Sequence, residues 1–84
     1  MSIGKNRLKI RILGILDEAG WLNPPRISAL VGFFPVRAIY SYLLRLHRWG
    51  LLDRRRDRRG LLIYRLSARG RTRLAWLKTA RPER

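Results

Sequence analysis

The stretch from Leu51 to Leu66 reads LLDRRRDRRGLLIYRL, and it predicts a β-hairpin with a strongly basic tip. The run from Leu61 to Leu66 is rich in branched and aromatic side chains, as β-strands are. Asp57 to Gly60 supplies the turn, because glycine has no Cβ and can adopt a positive φ. Five arginines surround this turn: Arg54, Arg55, Arg56, Arg58 and Arg59. A solvated loop is the alternative, but the mutual repulsion of such a run favours contact with an anion.

Three helices are predicted before the hairpin. Apolar residues recur every three or four positions over Arg7–Ala19, which indicates helix one. Asn23 is the predicted N-cap of helix two, which covers Pro24–Val31 with a proline at its first position. Helix three covers Pro35–Trp49, and Gly50 ends it. The side chains of helices two and three that are predicted to face the core are Ile27, Leu30, Val31, Ile39, Leu43 and Leu46.

A last helix is predicted after the hairpin, with Ser67 as its cap and an apolar three-residue repeat that begins at Leu74 and continues through Leu77 and Ala80. Gly70 is expected to weaken this helix by roughly 1 kcal/mol relative to alanine. Residues 81–84 are expected to fray. The predicted fold class is therefore α+β, mostly α, in a single domain over residues 1–84 that has three helices, a basic hairpin and a C-terminal helix.

The opposite face of helix three is basic and polar. Arg37, Ser41, Arg45 and Arg48 follow one another at spacings of four, four and three, so they form one stripe along the helix. Helix three is labelled α3, and these four residues are called the α3 stripe.

Composition points to a polyanionic partner. The 84 residues carry 20 Lys and Arg against 5 Asp and Glu, a formal charge of +15, and 17 of the 20 cations are arginine. The guanidinium fork matches phosphate and the edge of guanine. A GC-rich genome is an equally good explanation of the arginine excess, but it does not explain the net charge.

The sequence offers little for catalysis or metal binding. It has no cysteine, which excludes disulfides and thiolate metal sites. It has a single histidine, His47, which cannot form a zinc site alone. Asp17 and Glu18 are adjacent on a helix, so they face different directions and make a poor acid and base pair. We therefore expect no enzyme activity, no metal and no cofactor.

No targeting or membrane segment is predicted. The chain has no run of about 20 apolar residues, and its N-terminus lacks the apolar core of a signal peptide. We expect a cytoplasmic, nucleoid-associated protein without a membrane partner.

Two segments resemble the winged helix-turn-helix transcriptional regulators of the MarR, PadR and ArsR kind. Leu43–Leu51 is similar to the end of the family's recognition helix, where leucines pack inward and a glycine turns into the wing. Tyr64–Gly70 is similar to the second wing strand that leads into a capped helix. The resemblance covers residues 7–80. It implies that helix three enters the major groove of double-stranded DNA and that the hairpin is the wing.

The resemblance also implies roles for individual residues. Arg37 and Ser41 are implied to lie near the edges of DNA bases. Tyr40 is a weaker candidate for contact with a base, because it can instead pack against Leu44. The residues implied to contact the DNA backbone are Arg26, Ser28, Arg45 and Arg48, with Arg54, Arg55, Arg56, Arg58 and Arg59 of the wing on the backbone or in the minor groove. For Arg26 and Ser28, a solvated polar face is the alternative.

Apolar side chains beyond the needs of one small core suggest a homodimer. The predicted interface residues are Ile3, Ile10, Leu13, Trp76 and Leu77. The alternative for Trp76 is that it closes the core of the monomer.

The leading function is that of a DNA-binding transcriptional regulator. An architectural, chromatin-like protein with little sequence preference is the alternative that the +15 charge favours. RNA or ribosome binding and a winged helix that binds another protein are further alternatives. The sequence specifies neither an operator nor a small-molecule effector.

Overall fold

The computed structural model describes residues 3–32 and 35–79, with the side chains from residue 7 onward. Its elements are α1 (Ile3–Ala19), α2 (Pro24–Val31), α3 (Val36–Arg48), β1 (Leu52–Arg56), β2 (Leu62–Leu66) and α4 (Ala68–Thr79). The predicted order of helices and hairpin is therefore confirmed. The predictions for Ala80 and residues 81–84 lie outside the described residues.

The core is built where the helices cross beneath the hairpin. Ile39, Leu43 and Leu46 of α3 are fully buried, as their spacing predicts. They pack with Ile12, Leu13, Leu16, Ile27, Leu51, Leu52, Tyr64, Leu66 and Leu74. The prediction for Leu30 is wrong, because this side chain is 43% exposed near the C-terminal end of α2. The core thus takes one face of α3 and leaves the α3 stripe outside.

Local signals set the ends of α2 and α3. Asn23 caps α2, since its Oδ1 accepts a hydrogen bond from the N–H of Arg26 at 2.8 Å. Pro35 is the N-cap of α3 rather than its first helical residue.

No single helix within the described ranges is both long enough and apolar enough to cross a membrane.

The hairpin pairs β1 with β2 in antiparallel register, with Leu52 opposite Leu66 and Arg56 opposite Leu62. Gly60 has a φ of 83°, as the turn requires. The connection between α1 and α2 forms an isolated antiparallel bridge to β2, because Leu22 exchanges two backbone hydrogen bonds with Tyr64, at 2.9 and 2.8 Å. This bridge fixes the base of the hairpin against the helices.

Gly70 is where α4 meets the loop before β1. Ser67 caps the helix as predicted, because its Oγ accepts from the N–H of Gly70 at 2.9 Å and donates to the carbonyl of Gly50 at 2.7 Å. A Cβ on Gly70 would lie 2.0 Å from the carbonyl oxygen of Leu51 and 2.7 Å from Cδ1 of Leu66. The prediction that alanine would suit this position better is therefore wrong, because a tertiary contact outweighs helix propensity.

Candidate nucleic-acid interface

The α3 stripe is exposed along its whole length. All four of its side chains lie on the surface of α3 that faces away from Ile39, Leu43 and Leu46. An apolar strip runs beside it, formed by Val36, Tyr40 and Leu44, which are 40%, 47% and 43% exposed. Tyr40 is thus accessible to a partner even where it neighbours Leu44. The helix presents cations and apolar groups side by side, which are the groups that recognise guanine edges and thymine methyls.

The arginines of the α3 stripe differ in their surroundings. The guanidinium of Arg45 lies 6.0 Å from the ring of Tyr42, and burial raises the pKa of that phenol although Arg45 acts in the opposite direction. Arg37 and Arg48 form no hydrogen bond, ion pair or ring contact with any other described residue. Their five N–H donors each are therefore available to an external acceptor.

The two aspartates of the hairpin have different roles. Asp53 pairs with Arg65 across the strands at 3.1 Å, as expected for a carboxylate beside an arginine run. Asp57 forms no ion pair with a described arginine; its Oδ1 instead accepts the backbone N–H groups of Arg59 and Leu61, at 2.8 and 2.9 Å. Asp57 therefore shapes the turn and leaves the guanidinium of Arg59 outward.

The five wing arginines divide into two groups. Arg56 donates to the carbonyl of Gly60 at 2.7 Å, and Arg55 stacks on an indole. The other three have no contact of this kind among the residues that the structure describes, namely Arg54, Arg58 and Arg59. The guanidiniums of these three arginines are therefore available to an external acceptor.

Trp21 is the residue of this region that sequence reasoning missed. Its ring lies 4.4 Å from the guanidinium of Arg55 and 4.8 Å from that of Arg65. Because Leu22 pairs with β2, Trp21 reaches the side of the hairpin opposite the core. The signal that could have revealed it is an aromatic residue in the short connection between helices one and two, in a chain that also has a basic hairpin. Trp21 orders two cations at the base of the wing.

Arg55→Ala is expected to cost about 0.5–1 kcal/mol of stability, since it removes the guanidinium from the Trp21 ring. Urea unfolding followed by far-UV circular dichroism would measure this change. Arg54→Ala is the matched control, because it removes the same charge from the neighbouring position of β1 and no internal contact. Equal midpoints for the two variants would contradict a stabilising stack.

Helix α2 offers one exposed cation. The backbone N–H of Arg26 bonds to Asn23, while its side chain is exposed in the first turn. Ser28 is half-buried, and its carbonyl accepts the N–H of Gly32.

The predicted dimer residues fall into three environments. Leu13 is fully buried in the core, so the prediction that it meets a second subunit is wrong: α1 is covered on several sides by α2, β2 and α4. Ile10 and Leu77 are partly buried against the same core. Trp76 is 57% exposed, which excludes the alternative that it closes the core. The side chain of Ile3 lies outside the described side chains.

No protein-family profile and no curated protein sequence matches the chain. Its structure is similar to that of a MepR-like protein complexed with pseudoligands, with a TM-score of 0.80 and 27% identity over 89% of this chain and 54% of that one. It is also similar to YusO from Bacillus subtilis, with a TM-score of 0.79 and 17% identity over 92% of this chain and 57% of that one.

A third similar structure is a predicted DNA-binding transcriptional regulator from E. coli, with a TM-score of 0.68 and 21% identity over 95% of this chain and 81% of that one. The chain spans about half the length of the first two proteins. With its helices, hairpin and exposed α3 stripe, the chain has a winged helix-turn-helix fold and is similar to the MarR-type transcriptional regulators.

Proposed function

We propose that the chain binds double-stranded DNA as a transcriptional regulator, with α3 in the major groove. The observation that carries this proposal is the α3 stripe, which lies opposite the buried face of the helix. An α-helix fits the major groove, where all four base pairs are distinguishable. The wing supports the proposal with its three outward arginines, Arg54, Arg58 and Arg59.

Within this proposal the side chains divide by position along α3. Arg37 and Ser41, near the N-terminal end, read bases together with Tyr40. Arg45 and Arg48 hold the DNA backbone from the other end of the same stripe. Arg26 and Ser28 of α2 and the wing arginines add further backbone contacts. A binding role of this kind involves no catalytic step.

A selection from random duplex DNA tests the proposal directly. The enriched duplex and a shuffled one of equal length are then compared at one stated salt concentration. We expect the enriched site to bind at least about 1,000-fold more tightly, which is the lower end for specific regulators. No enrichment, with equal affinity for all duplexes, would contradict sequence-specific regulation.

The second candidate is an architectural protein that coats DNA without reading it. The formal charge of +15 favours this function, because non-specific binding depends mainly on neutralised phosphates. The same selection distinguishes the two, since a coat protein enriches no sequence. Either role would place the protein with DNA in the cytoplasm.

Arg58→Ala is expected to weaken binding to every duplex by about the same factor. Removing one phosphate contact lowers the slope of log K against log salt concentration by about 0.9, which corresponds to several-fold in affinity at physiological salt. Fluorescence anisotropy across a series of salt concentrations measures both the affinity and this slope. Lys78→Ala, which removes one charge from the last turn of α4, should leave the slope unchanged. A weakening confined to one sequence would contradict the phosphate role.

We also propose that the chain forms a homodimer through the surface around Trp76. A dimer would bring two copies of α3 to successive major grooves about 34 Å apart. Trp76→Glu is expected to convert a dimer at tens of micromolar into a monomer, measured by sedimentation velocity. Leu30→Glu, at an exposed leucine of α2, is the control and should sediment as the wild type does. A monomeric wild type at that concentration would contradict the dimer.

A further inference from the structure

A second cluster of cations lies apart from the wing, where α1, α4 and the C-terminal end of α3 meet. A groove of about 520 Å³ opens there. The described residues that line it are Lys9, Arg48, Trp49, Leu51, Arg69 and Arg73. Four of these six are cations, contributed by three different helices, and none is acidic. Below, this feature is called the Trp49 groove.

Three of these four cations contact aromatic rings or backbone. The ammonium of Lys9 lies 4.9 Å from the ring of Trp49. The guanidinium of Arg73 lies 5.4 Å from the ring of Trp76, and the stem of Arg69 packs over Gly50, where an added Cβ would lie 3.4 Å from Cδ. The side chains of Lys9, Arg69 and Arg73 are therefore oriented by these contacts, whereas Arg48 is exposed.

Within residues 3–32 and 35–79, no carboxylate forms an ion pair with a cation of the groove. Burial lowers the pKa of Lys9, and the positive charge of Arg73 lowers it further. The carboxylate of Asp17, which also belongs to α1, pairs with Arg71 of α4 at 3.2 Å. Among the described residues, the four cations have no carboxylate partner. Like charges that converge without a counter-ion are destabilising, and a bound anion would remove this cost.

We propose that the Trp49 groove is a binding site for a phosphate group. Three guanidiniums and an ammonium supply up to 18 N–H donors, and guanidinium forks bind phosphate oxygens bidentately. Phosphate also carries more negative charge than a carboxylate and so offsets more of the local repulsion. The phosphate could belong to the DNA backbone, because Arg48 is part of both the groove and the α3 stripe. It could also belong to a small phosphorylated molecule.

Thermal unfolding with inorganic phosphate tests this site without DNA, so its outcome is independent of the proposed function. Sodium phosphate is compared with sodium chloride at equal ionic strength. At tenfold the dissociation constant, phosphate should raise Tm by roughly 5–10 °C beyond chloride. The double variant Arg69→Gln and Arg73→Gln should lose this excess, whereas Arg7→Gln with Lys78→Gln, which removes equal charge outside the groove and the wing, should keep it.

Equal responses of all three proteins would overturn the proposal, because general stabilisation by phosphate acts on them alike.

A second measurement uses only the wild type. Phosphate should raise the pKa of Lys9, since the anion offsets both the burial and the charge of Arg73. An NMR pH titration of the Lys9 side chain, with and without phosphate, would show the rise, and an unchanged pKa would also overturn the proposal.

DNA binding then identifies the source of the phosphate. If the backbone enters the groove, the Arg69 and Arg73 double variant should bind DNA with a salt slope lowered by about 0.9 for each phosphate that it no longer neutralises. If the natural ligand is a small molecule, the slope should match that of the wild type while the phosphate-dependent rise in Tm disappears. Both results support the site and differ only in its occupant.

Discussion

Gly70→Ala is expected to destabilise the protein by about 2–4 kcal/mol, although alanine is the better helix former. The new methyl group would lie 2.0 Å from the carbonyl oxygen of Leu51, which is backbone and cannot rotate away. To make room, α4 must move, and this strains the bond from the N–H of Ser67 to the same carbonyl, now 3.0 Å long. For a domain of this size, Tm should fall by roughly 10–25 °C.

Gly14→Ala is the matched control for this prediction. Gly14 also lies within a helix, but an added Cβ there meets nothing within 4 Å. This substitution should stabilise the protein by about 0.5–1 kcal/mol, because only the difference in helix propensity remains. Chemical denaturation of both variants, followed by circular dichroism, separates the two effects. If Gly70→Ala were as stable as Gly14→Ala, the close approach of α4 to Leu51 would be disproved.

Helix boundaries are predictable because their signals are local. Asn23 caps α2 through its own side chain, and a 3.6-residue repeat assigns Ile39 and Leu43 to the core. The exposed face of α3 follows from the same repeat, so residue spacing alone is enough to assign the α3 stripe. A helix fixes which of its side chains share a face, whatever packs on it.

Tertiary contacts are not predictable in this way. Leu13 lies beside the main apolar stripe of α1, a position that suggests a second subunit, yet it is fully buried within the monomer, where α2, β2 and α4 all pack on α1. Trp21 stacks on arginines more than 30 positions later in the chain. Helix propensity misjudges Gly70 for the same reason, since the Leu51 carbonyl belongs to another part of the fold. These positions depend on how elements pack, which spacing along one element does not encode.

Arg37→Ala is expected to weaken binding to the selected DNA site by about 5- to 150-fold, the equivalent of roughly 1–3 kcal/mol. Arg37 is exposed in the first turn of α3 and forms no hydrogen bond, ion pair or ring contact with other described residues, so its guanidinium is free to bind O6 and N7 of a guanine. Affinity for a shuffled duplex should fall much less. Selectivity should relax at one base position, which a repeated selection with the variant would reveal.

Two controls separate base reading from charge in this experiment. Arg48→Ala removes the same charge from the other end of the α3 stripe and should weaken both duplexes almost equally. Arg37→Lys keeps the charge but loses the fork, so it should retain affinity for shuffled DNA and still lose selectivity. A coat protein responds to charge alone and would treat Arg37 and Arg48 alike. Equal losses for both alanine variants on both duplexes would therefore exclude base reading by Arg37 and favour the architectural function.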